Sequence, residues 1–341
     1  MSGKIVRSAK IRMLYRGRDI ARYCTDFSYT SHGYGQVDEI TARLQDRDGH
    51  VWQGDFWPQR GDVLEPVIIV ESWRPGQKWR ELKCGRFELD EPTFAGPPDA
   101  IDLKGAALAT TGAAQAEKKT TAWEDIALSD VAGDLAGRNG YKLVWEGKDK
   151  EYERLDQRHE GDLAFLERLA REAGNGLKVA EKEIRVIDLA RLENRPPDFT
   201  IDRLRPFKDG PAAISYSFEA DTHNRYKSCQ VVWHDTKTGE LYSGGADDPR
   251  VPSGDNLRIV QKRVISSGEA EALAKESLAA ANRGAISGKV TIVGETEVVA
   301  GLRVKLTNFG GFSGDYLIAA ATHRPIGQGY TVDLDIQREQ T

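Results

Sequence analysis

The chain has 341 residues, of which 39% are hydrophobic and 30% are charged, and its formal net charge is −5. That length allows two or three domains with cores of their own, and the composition is that of a globular rather than a disordered protein. The acidic balance argues against broad nucleic-acid binding, which normally requires a basic surface. No apolar run approaches ~18 residues, so we expect no helix to insert in a membrane.

The three cysteines, Cys24, Cys84 and Cys229, are odd in number and far apart in the sequence. They include no CxxC pair, so the sequence predicts a reduced compartment with neither a disulfide framework nor a zinc cluster. The N-terminal residues lack the apolar core of ~7–15 residues that a secretory signal needs.

Residues 1–110 are predicted to form β strands without a long helix. Strand patterns lie at Lys10–Tyr15, Asp19–Tyr23, Ile40–Leu44, His50–Gln53, Val63–Ser72, Trp79–Asp90 and Ala100–Gly105. Arg16-Gly17 and Gly96–Asp99 are typical of turns, and Asp48-Gly49 is a typical hairpin dipeptide.

Residues 111–200 are predicted to form a small α/β module. Thr121 and Glu124 have the spacing of a capping box, which predicts a helix from there to about Arg138, and Asn139-Gly140 would end it. A second helix is predicted at Glu160–Gly174, with one apolar face. That face comprises Leu163, Leu166, Leu169, Ala170 and Ala173. Strands are predicted at Tyr141–Trp145, Leu177–Ala180 and Glu183–Leu189, followed by a linker at Arg195–Pro197.

Residues 201–341 are again predicted to be mainly β. Strand patterns lie at Ala213–Ala220, Tyr226–His234, Leu257–Ile265, Gly288–Val293, Leu302–Thr307, Asp315–Thr322 and Tyr330–Gln337. Thr236–Gly254 is polar and glycine-rich, so we expect a surface loop there. Ser266 and Glu269 form a second capping-box candidate, which predicts a helix over Ala270–Asn282.

The expected fold is therefore mainly β with an α+β insertion. Residues 1–110 and 201–341 would each form a β-barrel or sandwich domain, and residues 111–200 would form the module between them. The sequence leaves open whether the two β segments are copies of one another.

No motif in the sequence predicts a catalytic, cofactor or metal site. Asp46–His50 resembles the start of a calcium loop but lacks its later ligands, so a hairpin is the better interpretation. Gly310–Gly314 is not followed by the Lys-Ser/Thr of a phosphate loop and is interpreted as a turn. The histidines have no i, i+4 spacing of the kind a helical zinc site uses. Asp221 and His223 share a strand face, where polar contact is the favoured interpretation.

The helix at Glu160–Gly174 carries a family resemblance. Asp162–Leu166, Arg168–Ala170 and Gly174 resemble the D-x-x-F-L-x-R-L-A-x-x-x-G signature of the phage late control protein D family, which groups with VgrG-like hubs of contractile injection systems. Further similar segments are Gly96–Gly105, Glu269–Ala274 with Asn282, Gly301–Leu306, Gly314–Ile318, His323 and Gly329–Leu334. The resemblance covers residues 80–341 well and the first 80 by order and length.

This resemblance implies a structural tail hub and not an enzyme, with no cofactor. Two tail-tube-like β-barrels per chain and a homotrimer would give a ring of six barrels. Such a ring would join a hexameric tail tube protein to a trimeric spike protein, with a tape-measure protein among further partners. It would lie in the baseplate of a virion tail or tail-like particle, assembled in the host bacterial cytoplasm. Polypeptide or DNA would pass through a polar lumen, without specific nucleic-acid binding.

Two alternatives belong to other classes of function. Trp52, Trp57, Trp73 and Trp79 are candidates for a glycan- or receptor-binding face, although core or interface packing is the simpler interpretation. Glu219 and Asp221 are candidates for the acid–base pair of a peptidoglycan-degrading tail enzyme. Carboxylate pairs are common in a chain that is 30% charged, and only a difference between their environments would mark a catalytic pair.

Overall fold

The protein is mainly β with a few helices, as the sequence predicts. The structure, a computed structural model, describes residues 7–45, 56–71, 79–90, 92–107, 118–180, 182–207, 210–220, 226–234, 239–249, 251, 255–260, 263–282, 286–327 and 329–338. The chain divides into two compact units: unit 1 is Met1–Ser215 with Val290–Asp335, and unit 2 is Tyr216–Lys289 with Ile336–Thr341. The described cysteines Cys24, Cys84 and Cys229 are unpaired thiols.

The secondary structure follows the predicted order with some corrections. The strands are β1 (Ser8–Tyr15), β2 (Arg18–Asp19), β3 (Cys24–His32), β4 (Glu39–Gln45), β5 (Val63–Glu71), β6 (Trp79–Lys83), β7 (Phe87–Leu89), β8 (Thr93–Ala95), β9 (Ala100–Ala107), β10 (Lys119–Ala127), β11 (Lys142–Glu146), β12 (Glu151–Glu160), β13 (Asn175–Ala180), β14 (Glu183–Asp188), β15 (Phe199–Asp202), β16 (Ala213–Ala220), β17 (Tyr226–His234), β18 (Leu241–Asp247), β19 (Asp255–Val260), β20 (Ile286–Val293), β21 (Arg303–Thr307), β22 (Gly314–Arg324) and β23 (Thr331–Arg338). The α-helices are α1 (Leu128–Arg138), α2 (Asp162–Glu172), α3 (Leu189–Glu193) and α4 (Ser267–Asn282).

One sheet in unit 1 contains strands from both ends of the chain. The hydrogen-bonded neighbours follow the order β23-β22-β3-β4-β9-β7-β5-β1-β2. The pairing that joins the N-terminal and C-terminal strands is β22 with β3, antiparallel, with Ala320 opposite His32 and His323 opposite Tyr29. Because these partners are far apart in sequence, their pairing depends on the completed fold of both segments.

The core behind this pairing contains a fully buried histidine. The His323 side chain is 0% exposed, and its ring stacks on Tyr29 with centroids 5.7 Å apart. His323 Nδ1 lies 2.7 Å from the Tyr330 hydroxyl. Burial lowers the pKa of His323 to about 4, although a backbone contact with Val298 acts in the opposite direction. The ring is therefore neutral at physiological pH.

The two β segments follow the same order of strand pairing. In the N-terminal segment the path is β1-β5-β7-β9-β4-β3, and in the C-terminal segment it is β15-β21-β22-β23-β20-β16. The outermost pairs differ, since β1 and β5 are antiparallel whereas β15 and β21 are parallel. We call the two paths the first and the second repeat.

The repeats also share a local hydrogen-bonded frame. Gly61 N donates to Leu89 O and Gly301 N donates to Ile318 O, both over 2.9 Å. The return bonds run from Leu89 N to Asp62 O at 2.8 Å and from Ile318 N to Leu302 O at 2.9 Å. Both glycines have left-handed backbone, with φ of 90° at Gly61 and 86° at Gly301, a conformation that favours glycine.

The α/β module has a core of its own within unit 1. A ribbon of β10 and β12 and a three-stranded sheet of order β11-β14-β13 pack with α1 and α2. The predicted apolar face of α2 is confirmed, since Leu163, Leu166, Leu169, Ala170 and Ala173 are buried. The predicted ends of both helices are also confirmed, with Gly140 and Gly174 at φ of 71° and 74°.

The capping box predicted at Thr121 is wrong. Thr121 and Glu124 lie in strand β10, where Trp123 is opposite Leu155 of β12 and Glu124 is paired with Arg154. Helix α1 begins only at Leu128, and its N-terminal amide at Ser129 donates to Asp149 Oδ1 over 3.0 Å. The N-terminus of α1 is thus capped by a residue 20 positions further along the chain. The sequence does not predict β12, because this strand has charged exposed positions and no alternating apolar pattern.

The signature helix is held at its first residue by a buried carboxylate. Asp162 is 1% exposed and accepts from Lys119 Nζ at 2.9 Å, Asn139 Nδ2 at 2.8 Å and Gln157 Nε2 at 2.9 Å. Burial alone would raise the pKa of Asp162, but these donors outweigh it and the pKa lies below its usual range. The carboxylate therefore ties α2 to β10, α1 and β12.

The other signature positions have equally local roles. Phe165 is buried and stacks on Trp123 with ring centroids 5.5 Å apart. The guanidinium of Arg168 lies over the Phe165 ring at 5.3 Å and donates to Glu160 Oε1 at 2.7 Å. The signature is thus a packing motif of the module.

The module contacts the turn between β3 and β4. Lys178 Nζ donates to His32 O at 2.8 Å and is 3.2 Å from Asp38 Oδ1. Gly35 N donates to Leu177 O over 2.7 Å. A Cβ at Gly176 would lie 2.6 Å from the Tyr34 side chain, so only glycine permits this approach.

Unit 2 contains a three-stranded sheet of order β18-β17-β19 and helix α4. The loop predicted at Thr236–Gly254 is wrong, because β18 lies within it and pairs with β17. Glycines are typical of turns, but Gly244 has a packing role in this strand. A Cβ at Gly244 would be 2.2 Å from the Glu271 backbone nitrogen, so glycine lets α4 pack on the strand. The second capping box is confirmed, since Glu269 N donates to Ser266 Oγ at 3.2 Å.

The remaining predictions for residues 1–110 include confirmed turns, one wrong strand and one hairpin outside the described residues. The turns at Arg16-Gly17 and Gly96–Asp99 are confirmed. The strand predicted at Asp19–Tyr23 is wrong, because β2 ends at Asp19 and Ala21–Tyr23 form a 3-10 helix. The hairpin at Asp48-Gly49, with the strand at His50–Gln53, lies outside the described residues.

We expect Asp162→Asn to lower the free energy of unfolding by about 2–4 kcal/mol. The change removes the buried charge that Lys119 Nζ contacts at 2.9 Å, and it places an amide donor among the donors that surround this position. The matched control is Asp125→Asn, an exposed position with φ of 48° where asparagine is well tolerated. Urea unfolding followed by tryptophan fluorescence measures both. Equal stability of the two variants would contradict this role of Asp162.

We expect the free energy of unfolding to fall as the pH drops from 6.5 toward 4. In this range His323 binds a proton in the unfolded state but not in the folded state, where its pKa is about 4. Between about pH 7 and about pH 5 this group alone should contribute a loss of about 2 kcal/mol. His323→Phe removes that contribution. A variant that keeps the same loss of urea-unfolding stability between the two pH values would contradict the assignment.

Candidate assembly surfaces

The sheet of unit 1 has one mostly polar face. Successive side chains of a strand alternate between the two faces, so the residues opposite the core share this surface. They include Asp26, Ser28, Thr30, Glu39, Thr41, Arg43, Glu88, Asp102, Lys104, Thr291, Thr322, Arg324, Asp333 and Asp335. We call this set the polar face.

Hydrogen bonds cross the polar face from strand to strand. Thr30 and Thr322 hydroxyls are 3.0 Å apart across the β3–β22 pairing, and Ser28 and Thr41 hydroxyls are 2.7 Å apart. Arg324 Nε donates to Asp333 Oδ2 at 3.0 Å. The pairing of β3 with β22 therefore continues one surface from the N-terminal strands to the C-terminal strands.

The polar face has more carboxylates than cations among the residues named above. The carboxylates are Asp26, Glu39, Glu88, Asp102, Asp333 and Asp335, against Arg43, Lys104 and Arg324. Two of the cations are engaged by carboxylates of the same face, Arg43 with Asp102 at 3.7 Å and Arg324 with Asp333. Lys104 is thus the one cation of this named set without a carboxylate of the set as its ion-pair partner, and a single cation is no basic track for a phosphate backbone.

Strands β8 and β16 are among the strands of the large sheet that have a single paired neighbour in its described part. Strand β8 is exposed at each of its residues, and its Phe94 ring is 53% exposed. Strand β16 is the terminal strand beyond β20, and Ile214 and Tyr216 are 58% and 47% exposed. An exposed edge with apolar side chains is a typical site of strand addition.

The tryptophan candidates do not share one face where they are described. Trp57 packs edge-on against Phe94 with ring centroids 5.7 Å apart. Trp79 is 59% exposed and pairs with Glu71 at the far end of β5, whereas Trp57 precedes that strand. Trp52 and Trp73 lie outside the described residues.

The other site candidates bring no chemical cluster together. Glu219 is exposed on β16, and Asp221 and His223 lie outside the described residues. Within the described ranges, no group of three or more His, Cys, Asp or Glu side chains could hold a metal ion. No helix of the described chain has the length and apolarity to cross a membrane.

Comparison with known proteins identifies relatives of this fold. The 43 kDa tail protein of prophage MuSo2 from Shewanella oneidensis is 12% identical, with a TM-score of 0.75 over 97% of this chain and 98% of that one. A tail protein from Neisseria meningitidis is 14% identical, with a TM-score of 0.72 over 97% of each chain. The Escherichia coli c3393 protein, a type VI secretion component, is 9% identical, with a TM-score of 0.53 over 98% and 75%. At these identities the similarity establishes a shared fold.

A comparison of the sequence with protein-family models gives a match, whereas a comparison with curated proteins does not. No curated protein sequence is a significant match. The model for the phage tail baseplate hub (GPD) matches residues 108–328, which is more than half of the chain and includes the signature helix. The chain therefore belongs to the phage tail baseplate hub (GPD) family.

Proposed function

We propose that three copies of this chain form a ring that joins a hexameric tail tube to a trimeric spike in a contractile phage tail or a related injection particle. The observation that carries the proposal is the continuous sheet formed by β22 and β3, which joins the two repeats side by side. The family membership supports the same role, since the matching family is a tail baseplate hub.

The repeats supply the symmetry that such a joint needs. A six-fold tube and a three-fold spike match when each of three subunits presents two similar units to the tube. The shared order of strand pairing and the shared frame at Gly61 and Gly301 support two similar units per chain. In this proposal residues 1–110 and 201–341 are the two tube-like barrel domains and residues 111–200 are the module that connects them.

The polar face is the proposed wall of the bore. It continues across the pairing of the two repeats, so a closed ring would present it without interruption. Its excess of carboxylates repels nucleic-acid phosphate, which suits passage of DNA without retention, and its hydroxyl groups remain hydrated in contact with a passing polypeptide. We therefore expect a passive conduit that needs no catalytic residue and no cofactor.

The partners follow from the position of the ring. We propose that the hub contacts itself, the tube protein, the spike protein and the tape-measure protein in a tail baseplate assembled in the host bacterial cytoplasm. No observation on the described residues favours a glycan-binding face or a cell-wall hydrolase.

The hub co-purified with the tube and spike proteins of its particle should contain three copies of the 37.8 kDa chain for each spike trimer and each tube hexamer. Native mass spectrometry of the complex gives the copy number directly, and the hub alone serves as the control for partner-dependent assembly. A persistent monomer in the presence of both partners, or any copy number other than three, would contradict the ring.

A further inference from the structure

The in-chain pairing of β22 with β3 has two counterparts that lie at exposed edges. Strand β3 ends the path of the first repeat, as β16 ends the path of the second. Strand β22 leads into the hairpin with β23, as β8 leads into the hairpin with β9. The pair formed within the chain thus has an unformed equivalent, β8 with β16.

The shared frame sets the residue correspondence. Leu89 and Ile318 occupy the same hydrogen-bonded position, and β8 ends at Ala95 as far beyond Leu89 as β22 ends at Arg324 beyond Ile318. Thr93 then corresponds to Thr322, and Phe94 corresponds to His323.

The backbone of β8 is oriented to accept another strand. Leu89 N donates to Asp62 O at 2.8 Å, and Asp90 N donates to Lys104 O of β9 at 2.9 Å, on the opposite side. Thr93 and Ala95 lie opposite Asp102 and Ala100, whose backbone groups, like those of Lys104, face this side of β9. Because backbone groups alternate sides along a strand, the N–H and C=O of Phe94 therefore point away from β9.

The side chains at the two edges differ in exposure from their buried counterparts. Phe94 is 53% exposed, whereas His323 in the corresponding position is 0% exposed beneath Tyr29. On β16 the apolar side chains Ile214 and Tyr216 are exposed on one face, and Ser215 and Ser217 point to the other. Phe94 lies on the side of Ile101, a core residue, so pairing would bring apolar side chains together and hydroxyls together.

We propose that β8 of one copy pairs antiparallel with β16 of a second copy, repeating between chains the pairing that β22 and β3 make within one. Phe94 then packs against the Ile214 and Tyr216 side chains, and the Thr93 hydroxyl faces the Ser215 and Ser217 hydroxyls. The inference rests on the proposed trimeric ring and names its interface.

The contact is head to tail, because it joins different strands of the two copies. It closes into a ring of three chains if the rotation between the two repeats of one chain equals the rotation between repeats of neighbouring chains. It would extend the polar face across each subunit boundary. Because β8 has three residues, its edge offers few hydrogen bonds to an unrelated strand, which limits nonspecific pairing.

The first test replaces an apolar side chain at the interface by a charge. In the hub purified with its spike and tube proteins, Phe94→Asp should weaken hub self-association by at least about tenfold, as loss of a central aromatic contact does. Leu241→Asp is the matched control, because Leu241 is 63% exposed and belongs to β18, which is neither of the two edge strands. Analytical ultracentrifugation over a dilution series measures the effect, and thermal unfolding checks that both variants fold.

The second test does not depend on tolerance of a buried charge. Thr93→Cys combined with Ser215→Cys or with Ser217→Cys should, under mild oxidation, give dimers and trimers on non-reducing gels for at least one pair. Thr93→Cys alone should not. A hub that remains trimeric with Phe94→Asp and gives no cross-link with either pair overturns this interface and leaves the ring. A wild-type hub that never forms a trimer with its partners overturns both.

Discussion

The pairing of β22 with β3 is the interaction on which the rest of unit 1 depends. It joins strands from opposite ends of the chain and buries His323 against Tyr29 without a side-chain charge. It also makes the polar face continuous, since Thr30 and Thr322 meet across it. A sheet that joins two repeats edge to edge can be extended by the same geometry between chains, which is the physical basis of the proposed ring.

The helical module stabilises this arrangement from one end of β3. Its own core is closed around Phe165 and Trp123 and fixed by the buried Asp162 carboxylate. Lys178 then holds the turn that follows β3 by contacts with His32 and Asp38. The residues of the family signature therefore stabilise the module, whereas the surfaces proposed for assembly lie on the sheet.

Elements with a strong local pattern could be predicted from the sequence. Helix α2 has an apolar stripe and a glycine at its end, and both determine its bounds through short-range contacts. Strand β10 could not be told from a helix, because Thr121 and Glu124 mimic a cap and its pairing with β12 decides its conformation. Strand β18 was missed because Gly244, a turn signal in sequence, serves close packing on α4. The two repeats cannot be recognised from the sequence, because they share backbone hydrogen bonds at Gly61 and Gly301 and not side chains. Pairings between distant residues carry no local signal, so neither the polar face nor the exposed edges could be assembled from the sequence.

The central claim is that two similar repeats per chain build a ring with a continuous polar bore. A cryo-electron microscopy map of the hub within its intact particle measures this most directly. The account predicts three chains around the axis, six repeats in one uninterrupted sheet, and Glu39, Thr41 and Asp333 facing the lumen. A ring in which the repeats of one chain do not lie side by side, or in which these side chains face outward, would contradict it.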